Sequence, residues 1–473
     1  MSSDLRLVTD GAIVFKNSQG AEAQGTLIRL SRHSVVFEVY NPYSIVQLSE
    51  VLNHLRIRSG ERDIYSGKAV VTNLVSTGLM LIVSASLVDT WSDLIDLAPG
   101  PHLREEVRGF VNHWSDGNAK LVPDYQLAVS NIRNFLEEFN RWLEHGEMLA
   151  GITEPATPAQ LKEEFTLDVD SMVAVKLDEL FRRFEEEARI VSDDDLAIHK
   201  AFARREIHPL IMCAPFMHRT YTKPLGYAGD YEMVNMILRN TWEGSSTYAR
   251  IINSILLRSG TAQAHRNRID RLTEILTSEA RRAHEANRPL RVLNIGCGPA
   301  VEVQRFIQTC PLADRTEFEL LDFNLETIEF AESQISKVIK ESRRRTAVKF
   351  VHRSVHDLLK QASGRRTAAD SKAQFDLVYC AGLYDYLNDR ICGKLLDLFY
   401  SWTAPGGLVV ATNVHQSHPV RGFLEHLQEW YLILRNEKQM LALNPALGQQ
   451  KVATDATGVN VFLEIRKPAP GAE

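Results

Sequence analysis

Two glycines, Gly296 and Gly298, stand at the end of the apolar run RVLNIG, and an acid, Asp322, stands near the end of a second run, FELLDF. A strand that runs into Cys297-Gly298-Pro299-Ala300 and then into a helix can turn sharply there. Without side chains at 296 and 298, its backbone N–H groups come close to a ligand beside a helix N-terminus. Asp322, closing the next strand, can accept both ribose hydroxyls of an adenosine. The expected chemistry is nucleoside binding across two neighbouring strand ends. A dinucleotide would need glycine or alanine where the GxGxxG pattern closes, and this chain has Val301 there, which disfavours a nicotinamide cofactor.

Those residues need a sheet to hold them. From Arg291 the runs alternate: RVLNIG, a helix through VEVQRFIQTC, FELLDF, a helix through LETIEFAESQISKVIKE, then KFVHRSV, FDLVYCAGL and GLVVATNV. This predicts a doubly wound parallel sheet, with VATDATGVNVFLEIRKP as a final hairpin and QASGRRTAADSKAQ as a solvated loop. Upstream, AIVFKN, GTLIRLS, SVVFEVY, DIYSGKAVVTNLV and LMLIVSASLV read as short strands between Gly, Asn and Ser turns, which predicts a small β-barrel. Between them, from about His102 to Ile275, apolar residues recur at three- and four-residue intervals, which predicts helices. The fold expected is multidomain: a β-barrel over 1–100, a helical connector with a lid over 101–280, and an α/β Rossmann-like domain over 281–473.

A length of 473 residues fits two or three domains, and 44% apolar with 24% charged residues is globular composition. A net charge of -6 gives no basic footprint for nucleic acid. The five cysteines are widely spaced with no CxxC pair, so no metal site is expected and a reducing cytoplasm fits. The opening MSSDLRLVTDGAIVF lacks the pattern of a signal peptide, and no apolar run reaches the length of a membrane span.

The glycine turn, Asp322, the FDLVYCAGLYDYL run and APGGLVV together resemble class I S-adenosylmethionine (SAM) dependent methyltransferases over the last third of the chain. The resemblance implies that Gly296, Cys297 and Gly298 face the methionine part of SAM. It places Asp322 on the ribose, with Phe323 and Asn324 beside the adenine. Ser354 to Leu358 flank the adenine edge, including Val355, His356 and Asp357 with its acceptor for the amino group. Cys380, Ala381 and Gly382 underlie the methionine part. One departure stands at Asn294, where the family usually has an acid: an amide can still accept from the ligand's ammonium, without the ion pair.

Two further segments suit an acceptor. PFMHRTYTKPLGYAGDYEMVNMI crowds Arg219, Tyr221, Lys223, Tyr227, Asp230 and Tyr231 around glycine hinges, as a water-excluding lid requires. In NVHQSHPVRGFLEHLQEWYLILRNEKQM, Tyr431 and Arg435 are four apart and share a helical face, and His426 with Trp430 form an adjacent pair. Asn413 and His415 close the preceding strand, on the edge where such sheets place ligands. With Tyr384 in CAGLYDYL, these segments resemble a bacterial methyltransferase family associated with 3-hydroxy fatty acid methyl esters, which are quorum-sensing signals. That resemblance implies a fatty-acyl carboxylate as acceptor. Arg219, Lys223 or Arg435 would orient it, Met217, Leu383, Trp430 and Leu434 would accept its chain, and Tyr227, His415 and Arg435 would act at the reacting atoms. A hydroxyl or amine acceptor would instead need a base, with His415, Asp230 or Glu429 as candidates.

GTLIRLSRHSVVFEVYN through SGKAVVTNLV resembles a PilZ-type barrel, a module that in many bacterial proteins senses cyclic di-GMP. The matching loop, Arg29 to Ser34, keeps Ser31 but lacks the opening acid or amide and the closing glycine, and no RxxxR precedes it. The expectation is a docking or regulatory barrel. The alternative to an enzyme is a regulatory protein whose barrel binds the nucleotide while the SAM domain serves as sensor or scaffold.

Overall fold

The computed structural model describes residues 11–18, 20, 22–31, 33–40, 46–59, 62–76, 80–89, 104, 107, 108, 111, 120–151, 158–239, 242–363 and 374–469. The opening segment before 11, Arg32, His102 and most of the QASGRRTAADSKAQ loop lie outside them.

Six strands close an antiparallel barrel in the order β1-β2-β3-β6-β5-β4. They are β1 (Gly11–Lys16), β2 (Glu22–Leu30), β3 (Ser34–Tyr40), β4 (Val51–Ser59), β5 (Arg62–Ser76) and β6 (Met80–Leu87). Alternate residues point inward, so Ile13, Phe15, Phe37, Leu55, Ile57, Tyr65 and Val83 fill the barrel. Five of these strands fall on the expected runs, and β4 falls on none. The left-handed backbone at His54 (φ 53) and the register shift against β5 break the period of two there. In the β2–β3 turn Ser31 closes on Ser34, its hydroxyl accepting from the Ser34 amide at 3.1 Å.

Helices follow. α1 (Pro123–Leu149), α2 (Ala159–Ala188) and α3 (Leu196–Ile211) pack through Tyr125, Ile132, Leu136, Phe184 and Ile207. Shorter helices α4 (Pro215–Thr222), α5 (Tyr231–Arg239) and α6 (Thr247–Leu257) lead to α7 (Gly260–Glu285), which crosses the expected boundary at 280/281. Among the described residues no helix is long and apolar enough to cross a membrane.

Glu185 on α2 is buried and accepts the amides of Gly422 and Phe423, each at 2.7 Å. Desolvation outweighs these bonds and pushes its carboxyl up to about 7. A raised folded pKa stabilises fully below the unfolded value and is lost as pH rises through the folded one. The melting temperature of the wild type minus that of Glu185→Gln is therefore expected to fall between about pH 4.5 and 7 and to level off above, in thermal melts across that range.

The last domain is a seven-stranded sheet in the order β12-β13-β11-β10-β7-β8-β9. Its parallel strands are β7 (Leu290–Ile295), β8 (Thr316–Asp322), β9 (Ala347–His352), β10 (Phe375–Cys380) and β11 (Thr403–Val414), and the antiparallel hairpin β12 (Gln449–Thr454) and β13 (Asn460–Arg466) finishes it. Helices α8 (Val301–Thr309), α9 (Leu325–Glu341), α10 (Val355–Ser363) and α11 (Asp389–Trp402) cover the two faces, each over its own apolar core. The expected layout of barrel, helical middle and α/β sheet is what the chain adopts.

One local expectation is corrected. Residues 428–436 form no helix: a π-helical turn (Phe423–Leu427) ends before them, and Glu429 takes a left-handed backbone (φ 49). The chain then pairs sideways, Ile433 N donating to Asp385 O at 2.7 Å and Arg435 N to Val414 O at 3.1 Å. Tyr431 and Arg435 therefore share no helical face.

Candidate active site

The ends of β7 and β8 open onto a cleft of about 1470 Å³, its open mouth included. The turn after β7 is left-handed at Gly296 (φ 70) and Gly298 (φ 53), and a Cβ at either would meet nothing within 4 Å. The glycines thus leave both a permitted turn and empty space before the backbone. Asp322 is buried at the end of β8, where it accepts from Gly298 N at 3.1 Å and Asn324 N at 3.0 Å. Burial pushes its carboxyl up, against these backbone bonds.

Asn294 also lines the cleft. Its amide donates to Glu302 Oε1 at 3.1 Å, while its Oδ1 is buried without a partner. Glu302, on the first turn of α8, accepts in addition from the Tyr379 hydroxyl at 2.7 Å. The carboxyl group missing from position 294 is therefore supplied beside it by Glu302, which also lines the cleft.

Of the residues expected to hold SAM, Asn294, Gly296, Cys297, Gly298, Asp322, Phe323, Val355, Ala381 and Gly382 line this one cleft. Asn324 instead caps α9, accepting from Thr327 N at 2.9 Å. Asp357 accepts from Ser354 N and Oγ at the start of α10. Cys380 is fully buried in β10. His356 lies in α10, its side chain outside the described residues.

The acceptor candidates divide more sharply. Tyr227 and Tyr231 line the cleft, the ring of Tyr227 5.2 Å from that of Phe323; Leu383 lines it too, and Trp430 lines it while donating to the Tyr386 hydroxyl at 2.9 Å. The others hold the fold together. Arg219 forks onto Asp230 at 2.8–3.1 Å, and Asp230 caps α5 through Met233 N. Lys223 is buried and donates to Gln428 O at 2.9 Å. Tyr221 packs edge-on against His208. Tyr384 is buried and donates to Cys392 O at 3.3 Å. Tyr431 is buried against the barrel and accepts from Lys200 at 3.1 Å.

Arg435 is corrected most plainly: its five N–H donors go to Asp389, Tyr384 O, Leu387 O and Asn413. None is left for a ligand. His415 pairs with Ser417 and Glu437, Glu429 with Arg204, and His426 with Tyr125, all away from the cleft.

The structure adds residues that the sequence reading lacked. Thr261, His265, Arg268 and Leu272 form one stripe along α7 and face the cleft, opposite Asp385, Tyr386 and His418. Their spacing of four, three and four was the available signal. Burial pushes the imidazoles down, His265 to about 3 and His418 to about 4. Both are neutral at pH 7 and weakly basic.

The barrel reaches the same cleft. Val51 N donates to Gly226 O at 2.8 Å, and Ser49 Oγ to Tyr431 O at 2.8 Å. This docking places Ser18, Gln47, Leu48 and Glu50 in the cleft wall. The buried carboxylate of Glu50 holds that wall, accepting from Ser18 N and Gln47 N, each at 2.7 Å.

Among solved structures the chain is similar to a possible exported protein from Bordetella parapertussis, at 16% identity and TM-score 0.42 over 54% of this chain and 85% of that one. It is similar to magnesium protoporphyrin IX methyltransferase from Synechocystis PCC 6803 at 11% and 0.33, over 49% and 93%. It is also similar to an N-methyltransferase from Bradyrhizobium japonicum WM9 at 17% and 0.28, over 43% and 87%. At these scores the likeness carries no argument. No curated protein matches the sequence. The family described as "Methyltransferase domain" matches residues 264–446, from the cleft-facing stripe of α7 to the residues after α11 and β11. The chain therefore carries a methyltransferase domain over those residues, and the methyl donor of such a domain is S-adenosylmethionine.

Proposed function

We propose that the protein is a SAM-dependent methyltransferase that methylates the carboxylate of an apolar acyl acceptor, of which a 3-hydroxy fatty acid is the form implied by the resemblance. One observation carries the reading. A single cleft joins the glycine turn and Asp322 to an apolar wall of Met233, Val234, Leu424, Trp430 and Leu432.

The residues present fit the donor. Asp322 would hold the ribose, the turn at Gly296 and Gly298 the methionine part, and the unpartnered Oδ1 of Asn294 its ammonium, backed by Glu302. When bound, SAM supplies a sulfonium-activated methyl group that an anionic oxygen can take up without first losing a proton. The chain's contribution is then to align the acceptor and strip its water. Trp430, Leu424 and the barrel residue Leu48 exclude solvent, and Tyr227 covers the side nearest Phe323. The weakly basic His265 and His418 favour an acceptor that is already an anion over a hydroxyl that must be deprotonated.

The test is calorimetric titration of the full-length protein with SAM and with cyclic di-GMP, followed by incubation with labelled SAM and a bacterial lipid extract. SAM binding and a labelled fatty acid methyl ester in the mass spectrum are expected. Binding of cyclic di-GMP alone would reverse the reading toward a regulatory nucleotide-binding protein.

A further inference from the structure

Among the described residues the other buried cations are paired: Lys200 donates to Tyr431, Lys223 to Gln428 O, and Arg435 makes five bonds. Arg268 is the exception. It is 8% exposed, its Nε is buried without a partner, and among the described residues its guanidinium makes no hydrogen bond or ion pair. Asp385 and Glu302 are near enough to favour its charge, but neither is bonded to it: Asp385 Oδ1 accepts from Val414 N, and Glu302 Oε1 accepts from Tyr379 and Asn294.

The backbone opposite makes room for it. Gly382 has φ 82, and a Cβ there would lie 3.3 Å from Nη1 and 3.6 Å from Nη2. A glycine in a left-handed turn thus allows a cation with open donors to rest against the strand end that lines the cleft. A buried, unpartnered guanidinium opposes folding, so its presence asks for a ligand.

We propose that Arg268 is the carboxylate anchor of the cleft, donating in a two-pronged fork to a carboxylate of either the methyl donor or the acceptor. A carboxylate matches the planar fork. A dianionic phosphate would add a second charge facing Asp385 and Glu302. The inference rests on the cleft being a methyltransferase site, and its test separates the two.

Full-length wild type, Arg268→Met and Arg268→Gln are melted and titrated with S-adenosylhomocysteine, with its decarboxylated analogue S-adenosyl-3-thiopropylamine, and with 3-hydroxyhexadecanoate and its methyl ester. Both variants are expected to melt no lower than wild type and to lose about ten-fold or more in affinity for one carboxylate ligand. Loss for S-adenosylhomocysteine but not for the amine assigns the donor's carboxylate. Loss for the fatty acid but not for its ester assigns the acceptor's. Unchanged affinity for both carboxylates, equal loss for the ligands without one, or a lowered melting temperature overturns the anchor. A wild type that binds neither adenosyl ligand removes the donor site, leaving the anchor to be judged on the fatty acid; a wild type that binds no probe removes both.

Discussion

Asp322→Ala is expected to weaken binding of S-adenosylhomocysteine by about a hundred-fold or more, since hydrogen bonds to a charged acceptor contribute about 1.5–3 kcal/mol each and two ribose hydroxyls are proposed to donate to it. The side chain also braces the glycine turn, because its oxygens accept from Gly298 and Asn324. The two roles separate in Asp322→Asn. The amide oxygen can keep one backbone bond, but its NH2 cannot accept from a hydroxyl or from the other N–H, so affinity should fall about ten-fold or more while the melting temperature falls less than in the alanine variant. Calorimetry on both variants checks this. Unaltered affinity in the alanine variant would remove the nucleoside assignment from the β8 end altogether.

How far such a site can be read from sequence depends on whether the requirement is local. The turn at Gly296 and Gly298 needs missing side chains within three residues, and Asp322 needs only the end of the adjacent strand. Both were visible, and so was the alternation that builds the sheet. The acceptor side depends on which neighbour a polar residue finds. Arg219, Lys223, Tyr384 and Arg435 have the residue types of a binding site, yet they are engaged by Asp230, Gln428 O, Cys392 O and Asp389. Arg268 and His265, by contrast, sit in a helix rich in charged residues and look like a solvated face until tertiary packing encloses them. The reach of the barrel into the cleft is equally non-local. It depends on Ser49 meeting Tyr431, 382 positions away, and no pattern within the turn before β4 encodes that encounter. The barrel, expected to dock or regulate, lends Leu48 and Gln47 to the wall of the cleft.

The contrast between the two buried arginines yields the largest expected loss of stability. Arg435 is 1% exposed and ties the strand end at Asn413 to the carbonyls of Tyr384 and Leu387 and to Asp389 at the start of α11. Arg435→Met removes all five bonds at once and leaves the Asn413 oxygen and two carbonyls to lose their partners in the interior. The expected cost is about 3 kcal/mol or more, since each buried acceptor left without a partner costs about 1–3 kcal/mol, while the exposed Asp389 carboxylate returns to solvent. It should appear in urea unfolding as an earlier transition, with S-adenosylhomocysteine affinity per folded molecule unchanged. Arg268→Met should show the opposite pattern, with stability kept and carboxylate affinity lost, because that guanidinium has no bonds to forfeit within the protein. If Arg435→Met unfolded at the wild-type urea concentration but bound its ligands poorly, the guanidinium would belong to the site and its five contacts would be rearranged on binding. If both variants lost stability alike, pairing within the fold would not be what distinguishes a structural cation from a binding one in this chain.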